Sequence, residues 1–258
     1  MTTRHAPGTV SWVDLQTRDF ARATGFYGEL LGWSFPGAGD PAAGYLFAEL
    51  GGRKAAGMAR LTPAAKVSPM WSVYFATDDA DATARRVSEA GGTIVVPPMD
   101  VTDQGRMAYF ADPSGALFGT WQGRAHGGAE VTGEPGAMAW HEVYSRDVSA
   151  ARDFYAAVFA LEVRALDAPG VEYYTLHRDD RVVCGAMQMT DQFPPEVRSH
   201  WNTYFEVREV DHAVARVVAL GGTVLAPAFD TPYGRLAFVA DPDGAGFCLM
   251  DPARLPGT

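Results

Sequence analysis

Apolar positions along this chain change period several times, and they do so twice in the same order. Ala23, Phe26, Tyr27, Leu30 and Leu31 fall on one face of a 3.6-residue period and predict a helix; Phe154, Tyr155, Val158 and Phe159 repeat the pattern. Asp19 and Asp147 stand just ahead, where a carboxylate accepts from unpaired first-turn N–H groups. A later helix in each copy opens near Asp79 or Asp211 and stops at Gly91 or Gly221, glycine being the residue that turns left-handed at least cost. Segments 71–75, 106–110 and 116–121 alternate and are rich in aromatic and β-branched residues, which predicts strands. Asp-Pro-x-Gly at 112–115 and 241–244 predicts a hairpin connection, with proline presetting φ and glycine suiting the fourth turn position. Each copy reads strand–helix–strands–strand–helix–strands, an α+β pattern with helices on one sheet face.

The repetition is a tandem duplication. Trp12-Val13-Asp14-Leu15 returns as Trp140-His141-Glu142-Val143, and Phe26-Tyr27 as Phe154-Tyr155. Trp71, Tyr74 and Phe75 return as Trp201, Tyr204 and Phe205, Gly105-Arg106 as Gly234-Arg235, and Ala111-Asp112-Pro113 as Ala240-Asp241-Pro242. All pairs keep their order at an offset of roughly 128 to 130 positions. The copies span residues 8–123 and 136–253, joined by a glycine-rich linker at 124–135.

The formal net charge of -10 makes nucleic acid and anionic membrane surfaces poor partners. Two cysteines without a CxxC spacing suit a reducing compartment and exclude a thiolate zinc site. No stretch approaches membrane-spanning length, so the expected location is the cytoplasm. Duplicated copies can pair as two subunits would, so the expected state is a pseudo-dimeric monomer or a homodimer.

The aspartate before a helix carrying Phe-Tyr, the Gly-Gly end of the second helix and the Asp-Pro-x-Gly hairpin, in that order and twice, resemble the vicinal oxygen chelate superfamily of glyoxalases, bleomycin-resistance proteins and extradiol dioxygenases. Among its members the chain is most similar to tandem two-module glyoxalase-like proteins. The resemblance implies paired βαβββ units per module, curling a mixed sheet into a cup with helices outside. It also implies where metal-dependent members keep their ligands. Those positions hold Trp12, Ser72 and Gly119 in the first copy and Trp140, Asn202 and Cys248 in the second. Indole only donates, glycine has no side chain, and serine and asparagine are weak ligands, so no metal and no other cofactor is expected. His141 lies one residue from a ligand position and should point towards the helices with Val143. His200 should sit at a rim just outside its strand, and His126 lies in the linker.

The same alternation nominates cup-facing residues. Trp12, Asp14, Ser72, Tyr74 and Trp121 serve the first copy; Trp140, Glu142, Tyr144, Asn202, Tyr204, Cys248 and Met250 serve the second. Aromatic walls with a carboxylate and a tyrosine hydroxyl suit a small, flat ligand. Arg106 and Arg235, matched in both copies, are the expected partners of the two acids and candidate ligand contacts. Trp12, Trp71, Trp140 and Trp201 are expected to supply much of a ligand-quenched fluorescence signal, the alternative for Trp71 and Trp201, which lie next to cup positions, being that they report the rim.

Two functions fit. One is metal-free binding of a planar aromatic metabolite or antibiotic, of the sequestration or resistance type. The other is a metal-independent lyase, isomerase or cyclase of secondary metabolism, with Glu142 or Asp14 as general base beside Tyr204 or Tyr74. Binding is favoured, because no nucleophile–base pair or oxyanion motif stands out; a metal-dependent dioxygenase or lyase ranks below both.

Overall fold

The structure, a computed structural model, describes residues 5–39, 44–62, 67–167 and 170–252. The first copy contributes β1 (Val10–Thr17), α1 (Phe20–Leu31), β2 (Tyr45–Leu50), β3 (Arg53–Arg60), β4 (Met70–Ala76), α2 (Ala80–Glu89), β5 (Thr93–Val101), β6 (Gly105–Ala111) and β7 (Leu117–Gly123). The second contributes β8 (Met138–Ser145), α3 (Val148–Phe159), β9 (Glu162–Leu166), β10 (Tyr173–Arg178), β11 (Arg181–Gln188), β12 (His200–Glu206), α4 (Val210–Ala219), β13 (Thr223–Thr231), β14 (Gly234–Ala240) and β15 (Gly246–Asp251). They build a 7-stranded sheet, β2-β3-β1-β4-β7-β6-β5, and an 8-stranded sheet, β13-β14-β15-β12-β8-β11-β10-β9. Both are mixed: β1–β3, β4–β7, β8–β11 and β12–β15 run parallel, and the hairpins run antiparallel. The extra strand of the second sheet is β9, whose Glu162 pairs with His177. At the matching place the first copy keeps only a single bridge, Ser34 to Glu49. Pro36, Gly37 and Gly39 follow there, and proline cannot donate to a ladder.

Local chemistry explains the helix ends. Asp19, Asp79 and Asp147 accept from Arg22 N, Ala82 N and Ala150 N at 3.0, 2.8 and 3.0 Å. At α4 the cap position is Glu209, which makes no side-chain cap bond, while Asp211 lies inside the first turn. Gly91 and Gly221 follow α2 and α4 with φ of 86° and 85°, the left-handed stop that the spacing predicts.

The chain forms two compact units that mix the copies. The first holds residues 1–12, 72–128 and 141–202, and the second holds 13–71, 129–140 and 203–258. In the first unit α3 of the second copy packs on α2 of the first. Phe75, Phe118, Tyr155, Phe159 and Trp201 form its aromatic core, with Phe75 and Phe159 stacked at 4.3 Å. Here Trp201 Nε1 donates to Tyr155 Oη at 2.8 Å, and Tyr155 donates to Asp112 Oδ2 at 3.0 Å. The other Asp112 oxygen accepts from Ser114 N and Ala116 N, closing the hairpin. The second unit packs α1 on α4 and repeats the network: Trp71 Nε1 donates to Tyr27 at 3.0 Å, and Tyr27 donates to Asp241 Oδ2 at 3.1 Å. Burial pushes both aspartates above the usual carboxylate value, and both tyrosines well above the usual phenol. Trp71 and Trp201 are therefore core donors on the helix side, not rim reporters. Their alternation with Phe75 and Phe205 explains it, because both phenylalanines are fully buried.

Among the described residues no helix is long and apolar enough to cross a membrane.

Candidate functional site

The inward-facing residues of the first unit form two clusters. One belongs to the first copy. Ser72 Oγ and Tyr109 Oη lie 2.8 Å apart, consuming the serine at a ligand position. Tyr74 covers Gly119 so closely that a Cβ on that glycine would sit 2.2 Å from the ring. Trp12, 3 % exposed, meets the His126 ring edge-on at 4.4 Å, and Trp121 Nε1 donates to the His126 carbonyl at 2.8 Å. His126 was expected in a plain linker; it is buried, and the linker folds its imidazole between two indoles. A histidine in a Gly-rich stretch carries no periodicity that would reveal this.

The other cluster belongs to the second copy. Glu142 on β8 lies opposite Gly185 on β11, and Tyr144 lies opposite Met187. Tyr173 reaches across from β10 and donates to Glu142 Oε2 at 2.6 Å, the short distance of a hydroxyl bound to a carboxylate. It passes over Gly185, where a Cβ would lie 2.1 Å from the hydroxyl. Tyr173 escaped the sequence reading. The available signal was Gly185 itself, since glycine inside a strand often marks close approach of another group. Tyr144 sits between Phe193 and His200, each ring at 5.6 Å.

His200 is a correction: it opens β12 and shares a face with Asn202, instead of lying outside the strand. Its Nδ1 is 2.8 Å from the Arg198 carbonyl, which can only accept, so Nδ1 carries the proton. Nε2 then presents its lone pair to Asn202 Nδ2 at 3.3 Å. Burial holds His200 below the usual histidine value and keeps it neutral. His141 is buried as expected, and burial pushes it down to about 3.

The second unit holds the remaining nominated residues. Asp14, on β1, is 5 % exposed. Tyr204 is buried against Phe238 at 6.1 Å and lies opposite Cys248, which is also buried. Met250 and Trp140 are half-buried. Arg235 pairs with Asp211 at 2.8 and 2.9 Å and with Asp230 at 2.8 Å. In the first unit Arg106 likewise pairs with Asp81 at 2.9 and 3.0 Å. The expectation that these arginines partner Asp14 and Glu142 is thus corrected. Arg106 shares a strand face with Ala108 and the buried Phe110, so it points towards helix α2.

These side chains do not fit a metal. The first copy offers an indole, a serine bound to tyrosine and a glycine under a ring. In the second copy Cys184 and Cys248 are buried thiols, and burial pushes the Cys184 thiol up, away from the thiolate a metal needs. Among the described residues no three His, Cys, Asp or Glu side chains gather to hold an ion.

Known proteins give this architecture a family. Residues 9–120 match the Glyoxalase/Bleomycin resistance protein/Dioxygenase superfamily, and residues 140–250 match the glyoxalase-like domain. The anthracycline biosynthesis protein DnrV of Streptomyces peucetius is 41 % identical over 263 residues, covering 96 % of this chain and 95 % of that protein. Two solved structures share the fold at 16 % identity. The Mn(II)-bound glyoxalase from Novosphingobium aromaticivorans has a TM-score of 0.66, covering 95 % of this chain and 82 % of that one. The 2,2',3-trihydroxybiphenyl 1,2-dioxygenase from Sphingomonas wittichii strain RW1 has a TM-score of 0.65, covering 95 % and 91 %. With two modules matched and a relative this similar along nearly its whole length, the chain belongs to the glyoxalase/bleomycin resistance protein/dioxygenase superfamily.

Proposed function

We propose that the chain binds a planar, hydroxylated aromatic metabolite, without a metal ion, on the surface formed by Glu142, Tyr144, Tyr173, His200 and Asn202. The observation that carries this reading is the Tyr173–Glu142 bond at 2.6 Å, made possible by the bare Gly185. A buried carboxylate costs several kcal/mol unless it is hydrogen-bonded, so a retained one needs a reason. Beside it stand two aromatic rings, Tyr144 and Phe193, and the neutral His200, whose Nε2 accepts from Asn202. Acceptors next to ring faces suit a flat ligand carrying hydroxyl donors. The 41 % identity to an anthracycline biosynthesis protein supports a ligand from secondary metabolism.

The Glu142–Tyr173 pair also supports a second reading, a metal-independent isomerase, lyase or cyclase step. Glu142 would accept a proton from bound ligand and Tyr173 would supply one to a developing oxyanion. Fluorescence titration with a panel of hydroxylated polycyclic aromatics tests the binding claim. The response should weaken in Glu142→Gln and persist in Asp14→Asn, which lies in the second unit. A panel that gives neither quenching nor thermal shift overturns the proposal. Ligand recovered chemically altered would establish the second reading.

A further inference from the structure

A cavity of about 220 Å³ lies in the first unit at the C-terminal end of α3, apart from the Glu142 cluster. Arg86, Arg178, Thr77, Ala157, Gly8 and Phe159 are among its walls. Arg86 Nε donates to the Val158 carbonyl at 2.9 Å, and its Nη2 donates to Thr83 at 2.8 Å. Arg178 Nη2 donates to the Phe159 carbonyl at 3.3 Å, while its Nε is buried with no partner. Basic side chains at a helix C-terminus commonly cap its last carbonyls, and that alone could account for one arginine. Two guanidiniums carry ten N–H donors, and these bonds leave most of them unused. Among the described residues neither arginine makes a salt bridge.

The duplication supplies an internal control. In the second unit the corresponding place holds Gly136, over which a Cβ would meet the Leu31 carbonyl and Leu50, as one on Gly8 would meet the Phe159 carbonyl and Arg178. Arg216 corresponds to Arg86 there, and it pairs with Glu29 at 2.6 Å. The residue matching Glu29 is Ala157, and the residue matching Leu50 is Arg178. One copy of the place is a neutral, apolar-backed ion pair. The other has alanine where that carboxylate stands, a second guanidinium where leucine stands, and the cavity described above, in a chain of net charge -10.

We propose that this cavity binds a small oxyanion, the phosphate or carboxylate group of a metabolite, held by Arg86 and Arg178. Guanidinium forks match such groups with paired charge-assisted bonds. Inorganic phosphate is the probe and acetate the carboxylate arm, each compared with chloride at matched ionic strength. Whichever anion the site prefers should raise the melting temperature by about 3 °C at tenfold saturation. Ala157→Glu restores the carboxylate found in the other unit at an exposed helix position, so it should fold and weaken anion affinity at least tenfold. Arg178→Leu, the residue of the other copy, should do the same. Neither change should alter aromatic-ligand affinity, which keeps this outcome separate from that of the proposed function. Equal stabilisation of wild type and Ala157→Glu, or no effect of either anion beyond chloride, overturns the proposal.

Discussion

In the first copy Trp12 is 3 % exposed, His126 packs on it at 4.4 Å, and Tyr74 lies on Gly119. In the second copy the matching Trp140 is half-buried, and a tyrosine hydroxyl reaches over Gly185 to bond a carboxylate. In the first copy rings close around a Ser72–Tyr109 hydrogen bond, and in the second a tyrosine holds a carboxylate. Matching inward-facing positions can thus be occupied in two ways. Rings can pack over them, which contributes stability, or charged and polar groups can occupy them, which demands that every buried polar atom find a partner.

The sharpest way to break that contrast is to crowd each glycine. Gly119→Ala drives a Cβ into the middle of the Tyr74 ring, inside packed core, and should cost about 3 kcal/mol in denaturant melts. Gly185→Ala meets chiefly the hydroxyl end of the half-buried Tyr173, with Glu142 Cβ at 3.0 Å, so about 1 kcal/mol is expected, together with loss of ligand binding. Equal costs would mean that both interiors are packed alike.

A smaller effect separates the copies by pH. The folded protein keeps His141 neutral with its pKa pushed down to about 3, whereas the unfolded chain takes up that proton near 6.5. This contribution is complete above pH 6.5 and is lost as pH falls towards 3. By pH 5 the loss should reach about 2 kcal/mol. His141→Val installs the residue of the first copy, Val13, and should flatten that slope in melts between pH 7 and 5. An unchanged slope would show that another group carries it.

Smaller still is the expected asymmetry of the two acids. Glu142→Gln should weaken ligand binding by about 1–2 kcal/mol in calorimetry, and Asp14→Asn should leave affinity unchanged. If the site is catalytic, Glu142→Gln should instead cut turnover by about 10²–10⁴ with little change in affinity. Matching losses from both substitutions would assign ligand contact to both copies. At the bottom of the scale, Arg106→Gln should not change ligand affinity at all, since Arg106 is engaged by Asp81 and Asp100.

How much of this the sequence discloses depends on the range of each interaction. Asp19 and Asp147 cap their helices through neighbours three residues away, so a local pattern reveals them. Asp112 shows its hairpin role for the same reason, but its bond to Tyr155, 43 positions on, leaves no local trace. His200 was misplaced because a strand end has no periodic signal of its own. Arg106 was misplaced by reading the repeat before the alternation: counting two back from the apolar Ala108 and Phe110 puts it on the helix side. Alternation alone nominates Glu142, Tyr144 and Asn202, while Tyr173 meets Glu142 only through the pairing of β10 with β11 and of β11 with β8, which no local pattern discloses.

The reciprocal Tyr–Asp bonds have an evolutionary corollary. Tyr155 of one copy ends on Asp112 of the other, and Tyr27 ends on Asp241, so each copy is both giver and receiver of the same contact. A single-copy ancestor meets that requirement only as a symmetric dimer, in which any mutation is written twice. Gene fusion makes the pairing intramolecular, at an effective concentration on the order of millimolar, and releases the halves from identity. After that step the members of each pair could differ, Gly119 under a covering ring with Cys248 as its twin, and Ala157 with Glu29 as its twin.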